Sequence, residues 1–187
     1  MIKFPIIEDN GTINQFIDCW SRFYNYGGDE MYFRIIKNNP IKKDDIRELF
    51  KWKNGMRLAP LKDNSLETKI VPKLELINAL KNDRKITFQT INENFKDVSA
   101  IWRIFLAHII KPDEFPIFDQ HVYRSMIYLQ TNKIEEMKNN NQIKLHKYEH
   151  EYLKFFNSIS LEITDYKKYD EAMWVFGKFL KQIRLKS

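Results

Sequence analysis

Cys19 is the only cysteine in the 187 residues. One thiol excludes an internal disulfide, a four-cysteine zinc site and a protein-ligated iron–sulfur cluster. With five glycines in the chain, no glycine-rich phosphate loop is present. The histidines are His108, His121, His146 and His150, and only the last two stand at the i, i+4 spacing of a helical ligand pair. Their setting, KLHKYEHEYLKFF, reads more simply as a charged helix face, so no metal and no cofactor are expected. No serine or cysteine lies in a nucleophile motif. No apolar run approaches the ~18 residues of a membrane span, and the start MIKFPIIEDNG is too short and too polar for a signal peptide. The expectation is a soluble, cytoplasmic protein with no membrane partner. Strand-like alternation is scarce, no repeat period appears, and no linker is long enough to separate domains.

The chain nevertheless holds ample material for a core. Hydrophobic residues make up 43% and aromatics 14%, with fourteen Phe, nine Tyr and four Trp, so large apolar areas are available for burial. The 30% of charged residues are spread among apolar positions, a pattern that argues against disorder. A net charge of +6 favours an anionic partner, nucleic acid or an acidic surface.

Apolar spacing is helical almost throughout. Ile13, Phe16, Ile17, Trp20 and Phe23/Tyr24 fall on one face, with Thr12 as the cap and Gly27 as the left-handed residue after the end. KKDDIRELFKWKNG repeats this, burying Ile46, Leu49, Phe50 and Trp52 ahead of Gly55. From Ser65 a helix is expected to bend or restart at Pro72. A short helix follows through Phe88, Ile91 and Phe95. SAIWRIFLAHIIK, 99–111, is apolar nearly all round and predicts a central buried helix. Pro112 and Pro116 then force an extended connector. DQHVYRSMIYLQ starts the next helix with Val122, Met126 and Leu129 inward. EEMKNNNQ reads as a polar loop, and two amphipathic helices complete the chain. Trp52, Trp102 and Trp174 all fit core faces. The fold class is all-α, a single helical domain over 1–187, with lobes of about 65–130 and of 1–64 plus 131–187.

The candidate chemistry lies in FPIFDQHVYR, 115–124. After Pro116 and an extended segment, Asp119 is most simply a helix N-cap. That role fixes a carboxylate against the positive end of a helix, which favours its ionised form. An ionised, rigid carboxylate there is suited to stabilising a developing cation or orienting a water. His121 and Arg124 are three apart and share the first helical turn. Arg124 either contacts phosphate or forms an ordinary ion pair. Arg103 and Lys111 lie along one stripe of an otherwise apolar helix, where they either contact phosphate or snorkel out of a core.

A helix, a proline, a short connector and Asp-x-His-(Ile/Val)-(Phe/Tyr)-Arg together resemble the helix-hairpin-helix DNA glycosylase superfamily, in particular its endonuclease III branch. In this sequence the motif is Pro116-Ile117-Phe118-Asp119-Gln120-His121-Val122-Tyr123-Arg124, and the register places Phe95-Lys96-Asp97-Val98-Ser99 on the family's Leu-Pro-Gly-Val-Gly hairpin. The resemblance covers roughly residues 86–130. It implies a two-lobed helical bundle with a degenerate helix-hairpin-helix. It also implies binding to double-stranded DNA, a target nucleotide flipped into a pocket between lobes, and N-glycosidic cleavage supported by Asp119. Phosphate contacts would come from the hairpin and its surroundings, here Lys96, Ser99, Arg103, Lys111, His121 and Arg124. Both hairpin glycines are replaced, by Asp97 and Ser99, and Asp97 opposes a phosphate while Lys96 compensates. The position just after the hairpin reads Ala100-Ile101-Trp102-Arg103 without the lysine of strand-cleaving members, so the expected activity is monofunctional hydrolysis. The alternatives are a catalytically inactive module of the same fold, binding nucleic acid or protein in repair or phage defence, and a helical scaffold whose similarity at FPIFDQHVYR is fortuitous.

Overall fold

The computed structural model describes residues 11–184, so the start MIKFPIIEDN lies outside the described residues. All elements among the described residues are helical. In chain order they are α1 (Ile13–Trp20), α2 (Asp29–Ile36), α3 (Lys43–Asn54), α4 (Pro60–Ser65), α5 (Leu74–Asn82) and α6 (Phe88–Asn94). They continue with α7 (Ala100–Ile110), α8 (Gln120–Thr131), α9 (Asn141–His146), α10 (Leu153–Ile159) and α11 (Tyr166–Arg184). The all-α class is thus what the fold shows. None of these helices is long and apolar enough to cross a membrane.

Local signals explain most of the boundaries. Thr12 caps α1 through a capping box with Gln15. Gly55 ends α3 at φ 70°. The left-handed glycine after α1, however, is Gly28 at φ 88° and not Gly27, because the chain adds a 3-10 turn after Trp20 and then starts α2 directly from Gly28. The helix around Pro72 does restart. Pro72 has no N–H for the ladder, and the chain passes through a wide turn at Leu66–Ile70 and a tight one at Val71–Lys73 before α5. Leu129 points outward at 41% exposure, since α8 buries Val122 through Ile127 and has left the core by its last turn. In the polar loop before α9, Met137 is buried.

The chain divides into two compact units. One holds Gln120–Glu136 with the chain up to Tyr24 and from Phe155 on; the other holds Asn25–Asp119 and Met137–Lys154. The division differs from the lobes expected from sequence in three respects, the first being that residues 137–154 join the hairpin-containing unit, where α9 packs on α7. Residues 25–64 join the hairpin-containing unit, because Phe50 of α3 packs on Trp102 and Phe105 of α7. Residues 120–130 leave it, because α8 packs on α11.

In the first unit, Gly177 of α11 permits that packing. A Cβ there would lie 1.9 Å from the His121 carbonyl oxygen, so the two backbones meet at a point with no room for a side chain. Ser125 Oγ donates to the Met173 carbonyl at 2.6 Å in the same contact. Phe176 lies against Phe16, Trp20 and Tyr128.

In the second unit, α7 is buried as its composition predicts, from Trp102 and from Ile104 through Ile110. His108, 1% exposed, sits within it. Its Nδ1 lies 2.9 Å from the Phe115 carbonyl, which only accepts, so Nδ1 carries the proton. Nε2 is then the acceptor for the Tyr32 hydroxyl at 2.7 Å. Tyr32 stacks on Trp52 with ring centroids 4.4 Å apart. Lys81 crosses beneath, donating to the Ile36 and Ile109 carbonyls that end α2 and α7. Burial, with Lys111 adding to it and Asp113 opposing, lowers its pKa.

Candidate functional site

Asp119 lies at the junction between the connector and α8, directly before Gln120, at the position expected of it. Phe115 through Phe118 are buried. Phe118 packs on Tyr148 and Tyr152, and the Tyr148 hydroxyl donates to the Pro116 carbonyl at 3.2 Å. The extended segment is thereby packed against the 148–152 stretch immediately ahead of Asp119. Lys53 of α3 brings its ammonium within 3.6 Å of Asp119 Oδ2, with the two side chains 12% and 23% exposed.

Two neighbours complete the cluster. The Tyr26 hydroxyl donates to the Trp52 carbonyl at 2.7 Å, and Trp52 Nε1 donates to Asp29 Oδ1 at 3.0 Å. Burial raises the pKa of Tyr26, and the charges of Asp29 and Asp119 raise it further, so its phenol stays protonated at neutral pH. The group is therefore a part-buried carboxylate, a cation against it and a protonated phenol within its field.

Residues 95–99, the segment that the resemblance aligns with the family's hairpin, join α6 to α7. In place of glycines, cationic side chains hold the backbone of this segment. Lys69 donates to the Asp97 carbonyl and Lys73 to the Asn94 carbonyl, at 2.9 and 2.8 Å. Arg103 donates to the Val98 and Lys96 carbonyls, each at 2.6 Å, and to Asn92 Oδ1 at 2.9 Å. Burial alone would raise the Asp97 pKa, but hydrogen bonds, led by Lys73 at 3.1 Å, and the charges of Lys73 and Lys69 bring it below the ordinary value. The repulsion expected from Asp97 is thus offset within the loop.

The sequence-predicted residues therefore separate into groups. Lys96 and Ser99 are exposed at the hairpin, and Arg103 is there too, but as the staple that shapes it. Of the two readings open for Arg103, neither a free phosphate contact nor simple snorkelling describes a guanidinium held on three partners. Lys111 follows α7 at its other end, about 16 Å from the hairpin at 1.5 Å rise per residue. His121 and Arg124 belong to the first unit. Arg124 is buried, with Nε and Nη2 on the Glu136 carboxylate at 2.9 to 3.1 Å, and Nη1 on the Gly177 carbonyl and on His121 Nδ1. Of its two readings, the ion pair is what the fold forms, and no face of the guanidinium is left for a phosphate. His121 accepts from it and turns its ring edge to Trp174 at 5.5 Å.

No family model, curated protein or solved structure matches this chain.

Sequence reasoning missed Lys53, Tyr26 and Asp29 around Asp119, and Lys69 and Lys73 at the hairpin. Nothing in KWKNG connects Lys53 to a carboxylate so distant in sequence. The hairpin lysines left a faint signal, since Lys69 and Lys73 share a helical face at i, i+4. Beside the Asp119 cluster, the second unit also has an open cavity of about 730 Å³ between the 25–28 segment and the stretch 51–57, with Tyr26 and Trp52 in its wall.

Proposed function

We propose that the protein binds double-stranded DNA and removes an altered base by monofunctional hydrolysis of its N-glycosidic bond. Asp119 is the carboxylate that stabilises the cation-like sugar and orients the attacking water. The observation that carries this reading is the setting of Asp119: part-buried, preceded by a packed connector, 3.6 Å from Lys53 and downstream of a helix–five residues–helix unit. The target nucleotide leaves the stack to reach it. Lys69, Lys73 and Arg103 lie around the negative charge of Asp97, with Lys96 exposed next to it in sequence, and this positive excess supports phosphate binding despite the missing glycines.

The test is a panel of duplexes carrying single modified bases, incubated with the wild type and with Asp119→Asn. Asparagine is itself a good cap, so the variant folds. Abasic sites are expected from the wild type alone, and intact duplexes with both proteins across the panel would sink the catalytic part. Borohydride is expected to trap no adduct; one that vanished in Lys53→Gln would replace hydrolysis by a covalent route.

A second reading, a non-catalytic binding module, is favoured by the internal engagement of Arg103 and Arg124. The salt dependence of duplex binding separates the two, since a log–log slope near zero would mean few phosphate contacts and a protein partner.

A further inference from the structure

The cavity between the 25–28 segment and the stretch 51–57 includes neither Asp119 nor Lys53 in its wall. Its volume of about 730 Å³ lies within the usual range for small-molecule sites. Glycines shape it. Gly28 and Gly55 hold φ values of 88° and 70°, conformations that L side chains rarely adopt. A Cβ on Gly55 would come within 2.7 Å of the Tyr26 hydroxyl, so the bare backbone there is what lets Tyr26 reach the Trp52 carbonyl and form the wall. Gly27 is different: its φ is ordinary, and a Cβ would meet nothing within 4 Å.

The chemistry of the lining is specific in kind. Tyr26 and Trp52 meet edge to face at 5.7 Å within the lining, while Met31 and Met56 add two flexible, polarisable thioethers that adapt to a flat apolar surface. Met56 is 74% exposed, a large apolar side chain open to solvent at this wall. Two cations line the same cavity. Lys51 is already paired with Glu48 at 3.0 Å. Arg57 is exposed and has no ion pair or side-chain hydrogen bond among the described residues. No carboxylate lines the cavity among the described residues, and Asp29, next to Gly28 in sequence, accepts from Trp52 Nε1. A guanidinium fork without a protein partner matches two oxygens of a phosphate or a carboxylate.

We infer that this cavity binds a small flat aromatic anion, a ring system carrying one phosphate or carboxylate and no larger than a nucleoside monophosphate. The ring lies against the methionines, Tyr26 and Trp52, and the anionic group takes Arg57. The site shares Tyr26 with the Asp119 cluster but takes in neither Asp119 nor Lys53, and it stands whether or not the protein removes bases.

Calorimetric titration of the full chain tests it with four probes. 2′-Deoxyadenosine 5′-monophosphate and 2-naphthoate each combine a ring with an anion; adenosine lacks the anion and inorganic phosphate lacks the ring. At least one of the first two is expected to bind at one per chain, with adenosine and phosphate each at least about tenfold weaker. Which of the two binds identifies the anion as phosphate or carboxylate. Gly27→Leu is expected to keep the wild-type melting temperature while filling the cavity and weakening binding at least about tenfold. Arg57→Gln is expected to erase the preference over adenosine. Asp119→Asn is expected to bind as the wild type does, so failure of the glycosylase reading leaves this result intact. The inference is overturned if neither ring anion binds, or if one binds the wild type and both cavity variants alike.

Discussion

Replacing Gly177 with alanine gives the sharpest test of how the first unit is built. In the interior of a helix this exchange ordinarily stabilises by about 1 kcal/mol. Here the added carbon would stand 1.9 Å from the His121 carbonyl oxygen and 2.8 Å from Ser125 Oγ. A carbon rarely approaches a carbonyl oxygen closer than about 3.3 Å, so α8 and α11 must part by roughly 1.4 Å at this point. The same turn carries the bonds from Ser125 to the Met173 carbonyl and from Arg124 to the Gly177 carbonyl. Forced separation of a close-packed contact costs up to about 3 kcal/mol, and a hydrogen bond lost there adds about 1 kcal/mol. Set against the propensity gain, the net loss is about 3 kcal/mol. Urea unfolding followed by far-UV circular dichroism measures it, and faster amide exchange in α8 and α11 localises it. A variant as stable as the wild type would refute the close approach of the two backbones.

Three further outcomes are expected. Tyr26→Phe should change the alkaline limb of stability. The folded pKa of Tyr26 is raised, so its contribution is complete below the unfolded value near 10 and lost as pH rises through the folded one. The phenylalanine variant should therefore lose less stability above about pH 10, and an unchanged limb in thermal melts against pH would count against this placement. Tyr32→Phe removes the hydroxyl that donates to buried His108 Nε2 and should cost about 1–3 kcal/mol by denaturant unfolding, whereas a cost near zero would show that the bond is not formed. Asp119→Ala should cost on the order of 1 kcal/mol and Asp119→Asn little, and equal losses in chemical denaturation would argue against a capping role.

Much of this architecture was readable in the residues, for a physical reason. Helix periodicity, Thr12, Gly55 and Pro72 act through neighbours a few positions away, so their effects appear in any window of sequence. The all-apolar run 99–111 likewise announced a buried helix. The connector with Asp119 was legible because two prolines and a buried aromatic pair leave little conformational choice. Other features depend on groups that only the fold brings together. Arg124 offered a phosphate contact or an ion pair, and Glu136, in a stretch that read as the start of a polar loop, decided between them. Helix α2 was overlooked because it is short and follows two glycines, and its burial comes from Trp52 stacking on Tyr32. Leu129 kept the right spacing but lies past the point where α11 covers α8.

The staples on the hairpin have a consequence for how the loop can change. Lys69, Lys73 and Arg103 grip carbonyl oxygens, which every amino acid supplies alike. The hydrogen bonds are therefore blind to the identities of residues 94, 96 and 98, and they use side chains only at Asp97 and, in α6, at Asn92. A loop held by glycine conformation must keep its glycines, whereas one held from outside can exchange its exposed letters and retain its path. The path of this hairpin is held largely by helices that flank it, so its exposed positions 96 and 99 are open to be reshaped toward a new ligand without unfolding the turn, while Phe95 and Val98 stay in the core.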